Sequence, residues 1–196
     1  MDQTALKVMA AGLMHDIGKV AGREELGLTN EYEQNNLGLY CPYRNERHTH
    51  RHALFTAGFI EYFREVLPPV FNEPGWGEGD SFINLAAGHH NPATPMQWIV
   101  TTADRIGSGW DRKEYEDPEQ KTNVHDYKKV RIFTLFENLD PDSPGGSGAR
   151  RYNYPLTPLS HVSIFPEEAA KKQQPSESEA KEEYRALFDG FQRELR

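Results

Sequence analysis

Apolar residues near the N-terminus recur at helical spacing. Leu6, Met9, Ala10, Leu13 and Ile17 fall at i, i+3, i+4, i+7 and i+11, which predicts a helix over residues 4–17 with one buried face. Gly18 stands where such a helix can stop. Residues 20–47 hold little apolar periodicity and read as a long excursion with a short helix around residues 31–35; loops of that length in a compact domain are commonly functional or mobile. Helical spacing resumes with Phe55, Phe59, Phe63 and Val66, predicting a helix over residues 53–67 that Pro68 and Pro69 end. Asp80 or Ser81 can cap a short helix through Ala87. Thr94 and Pro95 open another, running to about Ile106 with Ile99, Val100 and Ala103 on its apolar side. Residues 111–129 are strongly charged, and 130–136 are rich in β-branched and aromatic residues, as a strand would be. Tyr152, Tyr154 and Leu156 alternate, so the two segments can form a hairpin, with Pro155 confining the second to an edge. A polar linker over 173–178 precedes Tyr184, Leu187, Phe188, Phe191 and Leu195, an amphipathic helix. The pattern predicts a mainly α helical bundle with a small β-hairpin or irregular C-terminal region.

Candidate chemistry collects at the ends of these helices. His15 and Asp16 are adjacent, and an imidazole nitrogen beside a carboxylate suits a borderline divalent cation. Ordinary helix-end hydrogen bonds are the competing account, and a lone pair would favour it. More ligands follow. His52 is seven residues before Phe59 and so lies on or beside the buried face, whereas His48 and His50 read as a solvated helix start. His89 and His90 close the short helix and point roughly 100° apart, so one can bind metal while the other contacts substrate. Asp104 adjoins the apolar stripe of its helix. His15, Asp16, His52, His89, His90 and Asp104 thus come from four helical segments, which is how bundles build metal centres in their cores. Mixed nitrogen and oxygen donors fit one or two ions of manganese, nickel, cobalt, iron or zinc. Such ions act as Lewis acids and lower the pKa of bound water. Lys19 can share that electrostatic role, although the helix dipole alone favours a lysine there. Arg105 and Arg112 can guide a substrate backbone.

Composition narrows the class. In 196 residues, 37% hydrophobic and 27% charged residues leave room for one good core and extended polar loops. A net charge of -8 argues against a general nucleic-acid-coating protein, but not against a nuclease, because bound ions reverse the local charge. No run reaches the length of a membrane span and no signal-peptide pattern is present. Cys41 is the single cysteine, which excludes an intramolecular disulfide and makes the cytoplasm the expected compartment. Its surroundings do not mark it as a nucleophile. Gly-x-Ser-x-Gly, Cys-x-x-Cys and phosphate-cradling glycine loops are absent from the sequence.

The order His15-Asp16, His52, His89-His90, Asp104 resembles the HD phosphohydrolase superfamily. The strings LMHDIGKV, HALFTAGFI, AAGHHNP, ADRIGSG and YPLTPLSHVSIFP look like the N-terminal HD nuclease domain of the large polymerase-like subunit of type III CRISPR effector complexes. The resemblance covers roughly residues 5–166. It implies a mainly helical, metal-dependent nuclease that cleaves single-stranded DNA and is switched on when the complex binds target RNA. It also implies other effector subunits and a guide RNA as partners, reached through the full-length subunit. Residues 1–166 would then be the nuclease domain, and 167–196 a linker and C-terminal helix leading to a further domain. Two departures stand out. HD enzymes ordinarily carry another metal-binding histidine before the His-Asp pair, yet no histidine precedes His15, and only His125 and His161 remain downstream. The Gly-Gly-Asp-Asp motif of the family's synthase domains is also absent. A nucleotide phosphohydrolase, or an HD scaffold with a weak site, are the alternative readings.

Overall fold

The computed structural model describes residues 2–114, 128–129, 131, 134, 152–158, 160–168 and 175–195, with side chains of the first stretch described as far as Ser108. The chain divides into two compact units, Met1–Glu116 and Asp117–Arg196.

The first unit holds five helices. Helix α1, Gln3–Met14, starts at Asp2, whose Oδ1 accepts from Thr4 N at 2.7 Å. It buries Lys7 and Ala11 and leaves Leu6, Met9 and Leu13 exposed, the last at 85%, so the apolar stripe expected to face the core faces outward. The reason is the i, i+4 spacing of Lys7, Ala11 and His15, which puts all three on one side. Turning His15 inward turns the leucine stripe out. Lys7 fixes that rotation by donating to the carbonyls of Glu78 at 2.8 Å and Asp80 at 2.7 Å, while its stem is covered.

Gly18 belongs to a 3-10 turn, Ile17–Lys19, after α1 rather than to a left-handed helix stop. Its role is close approach. A Cβ there would lie 2.1 Å from His52 O and 2.4 Å from Thr56 N. Both atoms belong to α3, Arg51–Tyr62. Thr56 stitches the contact: its Oγ1 accepts from Gly18 N at 3.1 Å and donates to His15 O at 2.7 Å.

The excursion over 20–47 is more ordered than its sequence predicts. It contains α2, Asn30–Tyr40, and an antiparallel hairpin of β1, Tyr43–Arg44, and β2, Arg47–His48. Helix α2 has weak periodicity because tertiary contacts hold it. Thr29 caps it, Glu33 accepts from Arg51 at 2.7 Å, and the Tyr40 hydroxyl donates to Asn84 at 3.0 Å. Tyr40, Cys41, Ala53, Leu54, Ala57 and Ala87 form the core beneath it. Helix α3 stops at Tyr62, short of the expected Leu67, although Phe63 and Leu67 stay buried and Val66 is exposed. Helix α4, Phe82–Ala87, begins at the Ser81 cap. Helix α5, Pro95–Glu114, runs past the expected end at Ile106. It buries Gln97, Val100 and Thr101, not Ile99 or Ala103, because the polar face is the one that meets α4 and the histidine turn after it.

In the second unit β3, Tyr152–Asn153, pairs with β4, Glu167–Glu168, and Thr134 N donates to Tyr152 O at 3.4 Å. The expected strand over 130–136 otherwise lies outside the described residues, as does most of the charged stretch 111–129. Helix α6, Glu177–Leu195, buries Phe188 from its amphipathic stripe together with Ala180, and leaves Tyr184, Leu187, Phe191 and Leu195 half-buried. The helices dominate and the sheets have two strands each, so the fold is mainly helical as expected.

The Gly18 contact generates a stability prediction. Gly18→Ala is expected to destabilise the fold by about 3 kcal/mol, because the methyl group meets α3 backbone that cannot yield. Urea denaturation measures this; an unchanged midpoint overturns the assignment of Gly18 to close packing.

Candidate metal centre

Four segments deliver the cluster. His15 and Asp16 follow α1, His52 lies in the first turn of α3, His89 and His90 form a 3-10 turn after α4, and Asp104 is on α5. Asp16 joins two donor groups that could each hold a metal ion, one with His52, His89 and His90 and one with His15 and Asp104. Its Oδ1 lies 3.2 Å from His52 Nε2 and 3.8 Å from His89 Nε2. Its Oδ2 lies 3.4 Å from His15 Nε2 and 2.5 Å from Lys19 Nζ. Asp104 Oδ1 is 3.5 Å from His15 Nε2 and accepts from Ser108 Oγ at 3.1 Å.

Backbone carbonyls set two of the tautomers. His15 Nδ1 donates to Gly12 O at 2.6 Å, and His89 Nδ1 donates to Ala86 O at 2.8 Å. Each ring therefore turns a lone pair on Nε2 inward. His52 Nε2 and His90 Nε2 stand 2.9 Å apart, so at most one carries a proton between them.

The titration of these groups follows from their surroundings. Burial alone would raise the Asp16 pKa, but contacts with His15, His52 and Lys19 outweigh it and hold the carboxyl far below the usual range. Burial would lower His15, yet Asp16, the Gly12 carbonyl and Asp104 raise it overall. His89 is pushed down to about 4, by burial first and then by His15 and His52. His90 falls to about 2, by burial and then by His89, His50 and His52. Both are neutral near pH 7 and present lone pairs rather than charge.

A profile of the HD domain matches residues 2–130. The chain belongs to the HD domain family. HD-domain proteins are metal-dependent phosphohydrolases, and the donor chemistry here fits that requirement. No curated protein and no solved structure matches the chain.

One observation tests the fit of a cation to this HD centre. Asp16 Oδ1 and His89 Nε2 are buried and receive no hydrogen bond among the described residues. They are both acceptors, 3.8 Å apart. Leaving a buried acceptor unmet costs about 1–3 kcal/mol, and two facing acceptors also repel. A divalent cation satisfies both. His15, Asp16, His52, His89, His90 and Asp104 are the residues that would hold it, in one or two sites.

Other expected residues fare differently. Lys19 is at the centre through Asp16. Arg105 is exposed and lies over the Trp98 ring at 5.6 Å, with no contact to the cluster among the described residues. The side chain of Arg112 lies outside the described residues, and so does His125; His161 is exposed in the second unit.

The structure also adds residues. His50, expected to be merely solvated, caps α3 with a left-handed backbone at φ 57, which swings its ring to 4.1 Å from that of His90. The His-x-His spacing was the only trace of this in the sequence, and helical geometry alone argues against it. Thr101 Oγ1 donates to His89 O at 2.8 Å, and Gly88 lets Gln97 pack against the histidine turn.

His89 generates a pH prediction. In the folded chain it stays neutral down to about pH 4, whereas in the unfolded chain it protonates near 6.5. Unfolding then takes up a proton between those values, so stability falls as pH drops through that window. The raised His15 acts in the opposite direction in wild type and variant alike. His89→Asn is expected to flatten the decline in urea stability measured in chelator from pH 6.5 to 4; equal slopes overturn it.

Proposed function

We propose that this HD domain is a metal-dependent nuclease that hydrolyses phosphodiester bonds in single-stranded DNA, as part of the large subunit of a type III CRISPR effector complex. The observation that carries the hydrolytic part is the pair of donor groups sharing Asp16. The strand preference is supported by the separated motifs from LMHDIGKV to YPLTPLSHVSIFP and by the openness of the cluster. Asp16 keeps 32% of its side chain exposed, and His15 keeps 21%. A small-nucleotide hydrolase needs a closed pocket with base-selective groups, whereas a nuclease needs an open channel.

Divalent ions bound here supply Lewis-acid stabilisation of phosphate oxygens and make water more acidic. The chain's own residues do the rest. The Gly12 and Ala86 carbonyls orient His15 and His89 so that Nε2 points inward. Asp16 offers one oxygen to each donor group. Lys19 holds Oδ2 and places a positive charge beside the phosphate that is to be cut. His90 either joins the donors or orients substrate, and Arg105, exposed over the Trp98 ring, is a candidate contact for the strand backbone.

On this reading residues 1–166 are the nuclease domain and 167–196 lead toward the rest of a larger cytoplasmic subunit, which meets guide RNA and the other effector subunits. No helix among the described residues is long and apolar enough to cross a membrane.

The test is a purified wild-type chain and a His15→Ala plus Asp16→Ala variant, assayed for bound metal and for cutting of a labelled single strand beside a panel of nucleotides. Wild type is expected to bind metal and cut the strand in preference to nucleotides, and the variant to lose both. A variant that keeps its metal and its cutting sinks the assigned centre; preferential nucleotide turnover by wild type replaces the nuclease with a nucleotide phosphohydrolase.

A further inference from the structure

The β1–β2 hairpin stands immediately before the histidines of α3, and the mechanism above does not use it. Its turn has two residues, Asn45 and Glu46, at φ 50 and 61, the backbone of a type I′ hairpin. Glutamate is an unusual choice for a left-handed position, so sequence rules did not reveal the turn. The register pairs Tyr43 with His48 and Arg44 with Arg47. Residues directly opposite share a face, and successive residues alternate. One face therefore carries Tyr43 and His48, whose rings meet edge to face at 5.1 Å. The other carries two arginines side by side.

That second face is electrostatically unfinished. Like charges directly opposite across a ladder are destabilising. Arg44 and Arg47 are both exposed, and neither makes a hydrogen bond or ion pair among the described residues. The neighbouring cations are different: Lys19 is paired with Asp16, and Arg23 and Arg51 with Glu33. Two unpaired guanidinium groups aimed the same way in an acidic protein are what an anion with several oxygens would bind.

The hairpin is also anchored to the centre. His48 Nδ1 bonds Cys41 O at 2.9 Å, and Thr49 N donates to Pro42 O at 3.0 Å, closing its base. His50, three residues after Arg47, places its ring 4.1 Å from His90. Three residues span at most about 11 Å, so the arginine face begins within a few nucleotides of the donors.

We propose that the β1–β2 hairpin docks the substrate strand, Arg44 and Arg47 binding backbone phosphates next to the phosphodiester held at the His15–Asp16 centre. This rests on the nuclease reading. The contact is with phosphate and so carries no base preference. It also compensates locally for the net charge of -8, which would otherwise repel a polyanion.

The test is binding of a fluorescent, phosphorothioate-substituted single strand in manganese, read by anisotropy across a salt series. The proteins are wild type, Arg44→Ala plus Arg47→Ala, and Arg44→Glu. Losing two phosphate contacts is expected to make the salt slope shallower by about 1.4 and to weaken binding by about 25-fold at 0.1 M salt. Arg44→Glu sets a carboxylate opposite Arg47, so its melting temperature is expected to match or exceed that of wild type while binding falls. That combination excludes misfolding as the cause. Variants that bind with wild-type affinity and salt slope overturn the hairpin proposal and leave the nuclease reading standing. A wild-type chain that neither binds nor cuts the strand overturns the nuclease reading, and the docking role with it.

Discussion

The structure depends on one close approach, that of Gly18 to the backbone of α3. Only a residue without a side chain lets the turn after α1 lie on the carbonyl of His52 and the amide of Thr56. Thr56 completes the join with one hydroxyl that bonds both sides of the turn. This contact brings Asp16 beside His52, residues far apart in sequence. It also fixes the rotation of α1, so that His15 faces inward and the leucine stripe faces water.

A second set of polar contacts brings up the other half of the centre. Lys7, buried in α1, holds the carbonyls of Glu78 and Asp80. The Asp80 carboxylate in turn accepts from Thr94 and Gln97 at the start of α5. Gln97 packs on Gly88 and accepts from Ala93 N, and Thr101 bonds His89 O. His89 is thus fixed by a hydrogen bond in addition to the apolar packing of α4. Directional bonds suit this task, because ligand atoms must be placed to within a fraction of an ångström whereas apolar packing tolerates slippage.

Folding these elements together concentrates acceptors. Ring nitrogens of four imidazoles and oxygens of two carboxylates meet in a space where two of these atoms have no hydrogen-bond partner among the described residues. Functional centres are where such local cost is commonly stored. The depressed pKa values of His89 and His90 are part of the same condition, since burial keeps both rings neutral and ready to donate electron pairs. The hairpin shows the converse, two exposed cations with no ion pair among the described residues, beside a centre rich in acceptors. In the proposed nuclease, the two together would give an acidic chain a local surface matched to a phosphodiester.

The sequence by itself determined the helical class, a start for α4 at Asp80 or Ser81 and for α5 at Thr94, and the amphipathic α6, and it supplied six candidate donors. These depend on local spacing, capping and side-chain chemistry, which a linear reading contains. It misjudged the faces of α1 and α5, because hydrophobic periodicity locates a stripe but does not say that polar residues of the opposite face will be drawn inward by ligands and a buried lysine. It underestimated α2, whose stability comes from Tyr40, Glu33 and their distant partners. His50 escaped notice because its placement depends on a left-handed backbone. Only the tertiary structure decided that Asp16 is shared between two donor groups, since that requires distances between residues that local rules leave independent.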